Sequence, residues 1–230
     1  MVTPEGLTFG SVVPQISWRK QDWAYEQVRE WILDGELKPG TRIDQEQLTA
    51  ALGISRIPLR EALAHLVAEG WIVGQPHRHL VVSELSLADA RDVYSGRQAV
   101  ESMLAGAAAQ KARPDSLDSV LEVLARQREA FSTAAIKEVQ RLDKQFHMGI
   151  YQLARMPKTL ASATTLYSMS ERYVRLYLGD AERSMTSFHE HEAIMSAVAS
   201  GDADAARKLT DEHIAHGLQV LEERSLQIMN

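Results

Sequence analysis

The segment Ser55-Arg56-Ile57-Pro58-Leu59-Arg60-Glu61-Ala62-Leu63, entered through Leu52-Gly53-Ile54, constrains this chain more than any other. Ser55 is an N-cap residue whose side-chain oxygen can accept from a free amide of the first helical turn. Pro58 falls inside that turn, where its missing N–H costs no intrahelical bond. Leu59, Ala62, Leu63 and Leu66 recur at helical spacing, while Arg56 and Arg60, four apart, share a neighbouring exposed stripe. A helix that shows two guanidinium groups near its front, beside its buried face, suits a groove lined with acceptors. It has the make-up of a DNA-recognition helix.

The flanking residues complete a motif. Asp44-Gln45-Glu46-Gln47 has the capping-box pattern, Leu48, Ala51 and Leu52 form one apolar side, and Gly53 can end the helix in the left-handed conformation. Asp44–Leu52, a tight turn and Ser55–Gly70 therefore predict a helix-turn-helix. An earlier helix over Asp22–Leu33 carries Tyr25, Val28 and Ile32 on one side, and Pro39-Gly40 marks the turn between the two. After Gly70 the period changes. Trp71-Ile72-Val73 and Leu80-Val81-Val82 are short β-rich runs joined by Gly74-Gln75-Pro76-His77-Arg78-His79, a hairpin with a polar tip. This is the wing of a winged helix, and Arg78 is its natural contact to phosphate or the minor groove.

Leu48–Trp71 resembles the signature of the GntR family of bacterial transcription regulators, and Leu37-Lys38-Pro39-Gly40-Thr41-Arg42-Ile43 matches the loop that family places before its second helix. The similarity runs over roughly Tyr25–Val82. It implies that Arg42, Arg56 and Arg60 contact double-stranded operator DNA, with Ser55 and Ile57 near the same surface and the wing tip, His77 and Arg78, contributing. One departure is His79, which stands where the family usually has Gly.

A chain of 230 residues, 45% hydrophobic and 24% charged, has room for two modest domains. We divide it into a flexible arm over 1–17, a winged helix-turn-helix over 18–84 and a helical domain over 85–230. The absence of cysteine excludes disulfides and thiolate metal sites and fits a reducing cytoplasm. No apolar run of membrane-spanning length and no signal-peptide pattern is present, so a cytoplasmic protein without a membrane partner is expected. Met1–Leu80 holds 8 Lys and Arg against 10 Asp and Glu, and the whole chain carries −6. That balance argues against sequence-indifferent coating of nucleic acid, though not against a reader that uses a few placed arginines.

Beyond Ser83-Glu84-Leu85-Ser86 no strand-like alternation occurs. Six helices are predicted, near Ser86–Lys111, Asp115–Ser132, Ala134–Ala154, Lys158–Leu178, Ser187–Ser200 and Asp202–Leu226, punctuated by Pro114, Pro157, Gly179 and Gly201. The fold class is thus mainly α, an N-terminal winged helix-turn-helix followed by an all-α six-helix bundle. Polar residues intrude on the inward stripes. Asp143 and His147 share a helix face with Phe146 and Ile150; His191 is in register with Ile194, Met195 and Val198; His213 is in register with Leu209, Gly217 and Val220. One carboxylate and three imidazoles facing inward need a shared partner, and a divalent cation is the economical one. His189 falls off the apolar register, and His216, three residues after His213, could support the site from behind.

Asp143-Lys144-Gln145-Phe146-His147, Glu190-His191 with Gly201-Asp202 beyond it, and Glu212-His213-Ile214 resemble the FCD effector domain of FadR-type GntR regulators, and six helices suggest its VanR-like subgroup. The resemblance implies that Asp143, His147, His191 and His213 hold a divalent metal ion, and Asp/His ligation suits zinc, nickel or manganese alike. It also implies that Arg97 is a pocket-side residue receiving a small carboxylate, with a surface salt bridge to Glu101 as the plainer role for the same side chain. Tyr94, Arg172 and Tyr173 are further ligand-binding candidates, while Met156 stands where the family often has Asn. The expected function is a homodimeric transcriptional repressor whose operator affinity is set by a small organic acid at the metal site. Two rivals stand beside it: a metal-dependent hydrolytic enzyme, in which the same four ligands activate water, and a DNA-binding regulator whose metal is purely structural.

Overall fold

Ala24, Val28, Trp31 and Ile32 occur at three- and four-residue steps, and all four are buried on one side of the first helix, α1 (Lys20–Leu33). In the computed structural model, the backbone is described for residues 20–74, 79–133, 136–177 and 181–229. The chain divides into two units, Met1–Leu85 and Ser86–Asn230. The sequence expectations for residues 1–17 and for the wing-tip residues His77 and Arg78 lie outside the described residues.

In the first unit α1 packs on α3 (Arg56–Ala68), whose Leu59, Ala62, Leu63 and Leu66 are all buried. Between them runs α2 (Gln45–Leu52). Its cap is Asp44, which accepts from the Glu46 and Gln47 amides at 2.9 and 3.1 Å, and it ends on Gly53 at φ 62°. Ser55 occupies the N-cap of α3 as the sequence predicts, but its side chain makes no capping hydrogen bond there. It stays exposed, with its hydroxyl not engaged by the helix it precedes.

The wing hairpin pairs β1 (Ile72–Gly74) with β2 (Leu80–Val82) antiparallel, Ile72 opposite Val82 and Gly74 opposite Leu80. A further segment joins it. Gly40 and Ile43 amides donate to the Val82 and Leu80 carbonyls, the Val82 amide donates to Thr41, and Arg42 bridges to Val81. The loop before α2 is therefore an extra edge strand of the wing, with Arg42 on its exposed rim. Gly40 suits its start because the backbone there takes the left-handed conformation, φ 75°, which strains any residue with a Cβ. Buried Arg29 lies 5.2 Å from the ring centroid of Trp71 and pairs with Glu26, joining α1 to the base of the wing.

The second unit comprises α4 (Leu87–Lys111), α5 (Pro114–Ser132), α6 (Ile136–Leu153), α7 (Pro157–Tyr177), α8 (Ala181–Ser200) and α9 (Ala203–Met229). The Ser86 side chain caps α4 through the Asp89 amide, and Pro114 opens α5 at a position that needs no N–H. α4 packs against α6, α7, α8 and α9. Its C-terminal part carries Ala105, Gly106, Ala108 and Ala109, and a Cβ on Gly106 would meet the Ala203 carbonyl at 3.1 Å, so α9 approaches closely there. The helix expected from Ser187 begins six residues earlier, at Ala181. Ser187 is buried inside the helix and is not a cap; the helix-favouring Ala-Glu-Arg run carries the helix upstream.

All four tryptophans of the sequence lie at or before Trp71, so tryptophan fluorescence follows the first unit. Asp44→Ala removes the carboxylate that satisfies two first-turn amides. It is expected to lower the stability read by that signal in urea by about 1 kcal/mol; an unchanged midpoint would show that the cap does not hold α2.

Candidate DNA-binding face and candidate metal centre

The front of α3 presents Arg56, Ile57 and Arg60 outward, and Ile57 is 71% exposed. An apolar side chain left in solvent between two arginines suits the mixed edge of a major groove, where a thymine methyl can meet it. A concavity of about 630 Å³ opens between α2, the start of α3 and the wing, with Arg42, Glu46, Arg56, Gly74, His79 and Leu80 among its lining residues. Arg56 Nη2 lies 2.6 Å from Glu46 Oε1, both side chains exposed. A pair so placed is worth little in water and holds Arg56 only loosely.

In the second unit, one ring nitrogen from each of His147, His191 and His213 lies within 4.8 Å of the other two. Asp143 joins them: Oδ1 is 3.6 Å from His191 Nε2 and Oδ2 is 3.9 Å from His147 Nε2. α6 supplies Asp143 and His147 one turn apart, α8 supplies His191 and α9 supplies His213. Each imidazole is held at Nδ1. That of His147 faces the Tyr151 hydroxyl at 3.1 Å, that of His191 the Gln127 Oε1 at 3.0 Å, and that of His213 the Glu190 Oε2 at 2.7 Å. Glu190 and Gln127 accept from Nδ1–H, which leaves Nε2 carrying the lone pair. Glu190 also takes His216 at 2.8 Å through its other oxygen, so His216 supports from behind, and His189 is exposed.

Burial sets the charge states. It holds His147 well below the ordinary histidine range, and the neighbouring His191, His213 and Arg97 charges push the same way. It raises Asp143, against the pull of a 2.5 Å hydrogen bond from the Tyr167 hydroxyl and of the His213 and Arg97 charges. A His147 ring held neutral by burial, with Nε2 of His147 and His191 turned toward the Asp143 carboxylate, fits a divalent cation. Nitrogens bound to one tetrahedral ion at about 2.1 Å lie roughly 3.4 Å apart, so three nitrogens within 4.8 Å of one another would draw in by up to about 1.4 Å on binding it.

Arg97 is placed differently from either sequence expectation. It is 3% exposed and Glu101 0%, so their pair is buried, not superficial. Nε and Nη2 reach the two Glu101 oxygens at 2.6 and 3.2 Å, Nη1 donates to Ser170 Oγ at 3.1 Å, and the rings of Tyr94 and Tyr167 lie 5.3 and 4.8 Å away. The fork that would receive an incoming carboxylate is filled by Glu101, and Tyr94 is a packing partner of the same guanidinium. The Tyr173 hydroxyl donates to Asp89 at 2.5 Å, beside the Ser86 carbonyl. It fastens α7 to the start of α4, about 12 Å of helix before Arg97. Arg172 is half-buried and acts on Tyr173 through its charge. The structure therefore brings together the four predicted metal ligands; of the four predicted ligand-pocket residues, it places Tyr94 against Arg97 and Tyr173 against Asp89 at the start of α4. The sequence analysis missed Gln127, Tyr151, Tyr167 and Glu190 as partners of the cluster. Of these only Tyr151, four residues after His147, had a local signal.

A winged helix with exposed arginines on its second motif helix, followed by a helical domain with an inward Asp/His cluster, defines a DNA-binding transcription regulator with an attached helical domain. Comparison with known proteins agrees. Residues 20–82 match the model of the bacterial regulatory proteins of the gntR family, and residues 92–216 match the FCD domain. The chain belongs to the GntR family and carries an FCD domain. It is 30% identical over 186 residues to the Nta operon transcriptional regulator of Aminobacter aminovorans, covering 80% of this chain and 87% of that protein. It is 26% identical over 190 residues to the HTH-type transcriptional repressor RspR of Escherichia coli strain K12, covering 83% of each. The solved structure of E. coli McbR/YncC shares the fold, with a TM-score of 0.79 at 19% identity, over 90% of this chain and 99% of that one. The relatives are transcription regulators of the same family, which favours a regulator over the hydrolase rival. Among the described residues no helix is long and apolar enough to cross a membrane.

His147 gives the metal-free bundle a pH dependence of known sign. Its folded pKa is depressed, so its contribution is present above the unfolded value of about 6.5 and is lost as pH falls below it. The slope is up to ~1.4 kcal/mol per pH unit. Asp143, raised in the fold, contributes with the opposite slope. Urea unfolding followed by far-ultraviolet circular dichroism should show stability dropping from pH 7.5 to 5.5, and His147→Gln should flatten the drop. An unchanged slope in that variant would refute the buried neutral imidazole.

Proposed function

We propose that this regulator is a homodimeric repressor, acting in the cytoplasm, whose grip on operator DNA is governed by a small organic acid at a divalent-metal site in the FCD domain. Arg56 and Arg60 read base edges, with Ser55 and Ile57 beside them, while Arg42, His77 and Arg78 hold the phosphate backbone or minor groove. Two copies place two recognition helices on two half-sites. A relative whose name is that of a repressor supports the sign.

The observation that carries the regulatory half is the triple Nδ1 anchoring around Asp143. Gln127 and Glu190, as acceptors, select the metal-binding tautomer of His191 and His213, a requirement that packing alone does not impose. Asp143, His147, His191 and His213 would hold zinc, nickel or manganese, and the bound ion would supply a positive centre with positions open to a carboxylate. The Arg97 charge is felt at both Asp143 and His147, so it favours an anion there while its fork stays on Glu101.

Selection from randomised duplexes should return a two-fold symmetric site. Arg56→Ala and Arg60→Ala should each cost about 1–3 kcal/mol of binding and relax preference at particular bases, whereas Arg42→Ala should weaken all sequences alike and reduce the salt slope by about one. Loss of no base preference in either α3 variant would overturn the reading role. For the second unit, zinc should raise the thermal midpoint of the chelator-treated protein, and His191→Ala should abolish that rise. A panel of small organic acids should then change operator affinity only in metal-loaded protein. A metal that stabilises while no acid alters DNA binding would leave it a structural ion.

A further inference from the structure

We propose that Tyr151 and Glu101 are positioning residues of the Asp/His cluster: together they fix the ring proton of His147 on Nδ1 and so turn Nε2 toward the centre. The inference rests on the reading that the cluster takes a divalent cation.

One chain of donors and acceptors links Arg97 to His147. Glu101 is paired through both oxygens with Arg97, which stays charged: burial alone would lower its pKa, but the charge and hydrogen bonds of Glu101 outweigh that and raise it well above its ordinary value. An ionised carboxylate has no proton to give, so the contact between Tyr151 and Glu101 Oε2 at 2.8 Å has the phenol as donor. A phenol carries one hydrogen. With it spent on Glu101, Tyr151 meets His147 Nδ1 at 3.1 Å with lone pairs only, and that nitrogen must bring the hydrogen. The other nitrogen of the neutral ring, Nε2, is then bare and lies 3.9 Å from Asp143 Oδ2. Arg97, Glu101, Tyr151 and His147 are 3%, 0%, 1% and 2% exposed, so water does not compete at any link.

Packing alone does not call for this arrangement. A buried ion pair pays heavily in desolvation, and apolar residues of similar volume hold a core at least as well. What the pair provides that a leucine cannot is an acceptor of fixed charge at the head of a relay. Without the Tyr151 hydroxyl, the His147 proton has its better acceptor on the opposite side, at Asp143, and a proton on Nε2 blocks that nitrogen as a ligand.

Tyr151→Phe removes one oxygen and keeps the ring. In metal-free, histidine-¹⁵N-labelled full-length protein, long-range ¹H–¹⁵N spectra should show the His147 hydrogen on Nδ1 in the wild type and moved to Nε2 in Tyr151→Phe. Zinc titrated calorimetrically should bind the variant about 10–100-fold more weakly, with the apo melting curve little changed. A wild-type hydrogen on Nε2 overturns the proposal without any variant. An unmoved hydrogen in Tyr151→Phe, or zinc affinity within twofold of wild type, overturns it as well. If the wild type takes up no zinc while the hydrogen moves as stated, the metal reading fails and the relay stands.

Discussion

The second unit is organised around a charge that has no water to lean on. Burying the Arg97 guanidinium requires a counter-charge, good geometry and occupied donors; Glu101 supplies the first two and Ser170 part of the third, with Tyr94 and Tyr167 against the cation. The consequences spread outward from there. Tyr167 packs on Arg97 through its ring and donates to Asp143 through its hydroxyl, while Tyr151 ties Glu101 to His147. Both α6 members of the cluster are thus connected to the same ion pair on α4. The buried phenols stay protonated because burial and nearby carboxylates raise them well above their ordinary value, which keeps them donors.

α4 divides its length between two kinds of work. Around Arg97 and Glu101 it is polar and pinned by named hydrogen bonds; around Ala105–Ala109 it is small and lets α9 come close. Salt bridges and hydrogen bonds such as Arg91 to Glu222 and Gln98 to Asp211 fix its register against α9 along the polar half. Because α9 carries His213, that register also sets where one candidate ligand stands relative to the two on α6. Packing and site geometry are the same problem here.

The helix-turn-helix was legible because its determinants are local: the Asp44 cap, Gly53 after Leu52, and the spacing of Leu59, Ala62, Leu63 and Leu66 lie within a few turns of one another. The inward His and Asp register was legible for the same reason, since helical period alone places them. The edge strand at residues 40–43 was not, because its hydrogen bonds go to β2, some forty residues on, and Pro39-Gly40 announces only a turn. Gln127 on α5 reaches His191 on α8, and Glu190 on α8 reaches His213 on α9; neither pairing has a sequence spacing to betray it. Arg97 was misjudged on burial. The i,i+4 spacing to Glu101 is identical in a solvated pair and in a core one, and only the packing of Tyr94 and Tyr167 decides between them.

The two units solve opposite electrostatic problems. The front of α3 keeps its arginines in solvent, with Arg56 held only by an exposed partner that a nucleic-acid acceptor can replace at small cost. Asp44 and Glu46 beside the same concavity repel phosphate that arrives in the wrong register. Non-specific affinity comes almost entirely from counterion release by cations. Carboxylates at this face therefore subtract from binding everywhere on DNA, and on the proposed reading the loss is recovered where base edges meet Arg56 and Arg60. What a regulator needs is the ratio of specific to non-specific binding. A winged domain with no net positive charge raises that ratio by lowering its denominator.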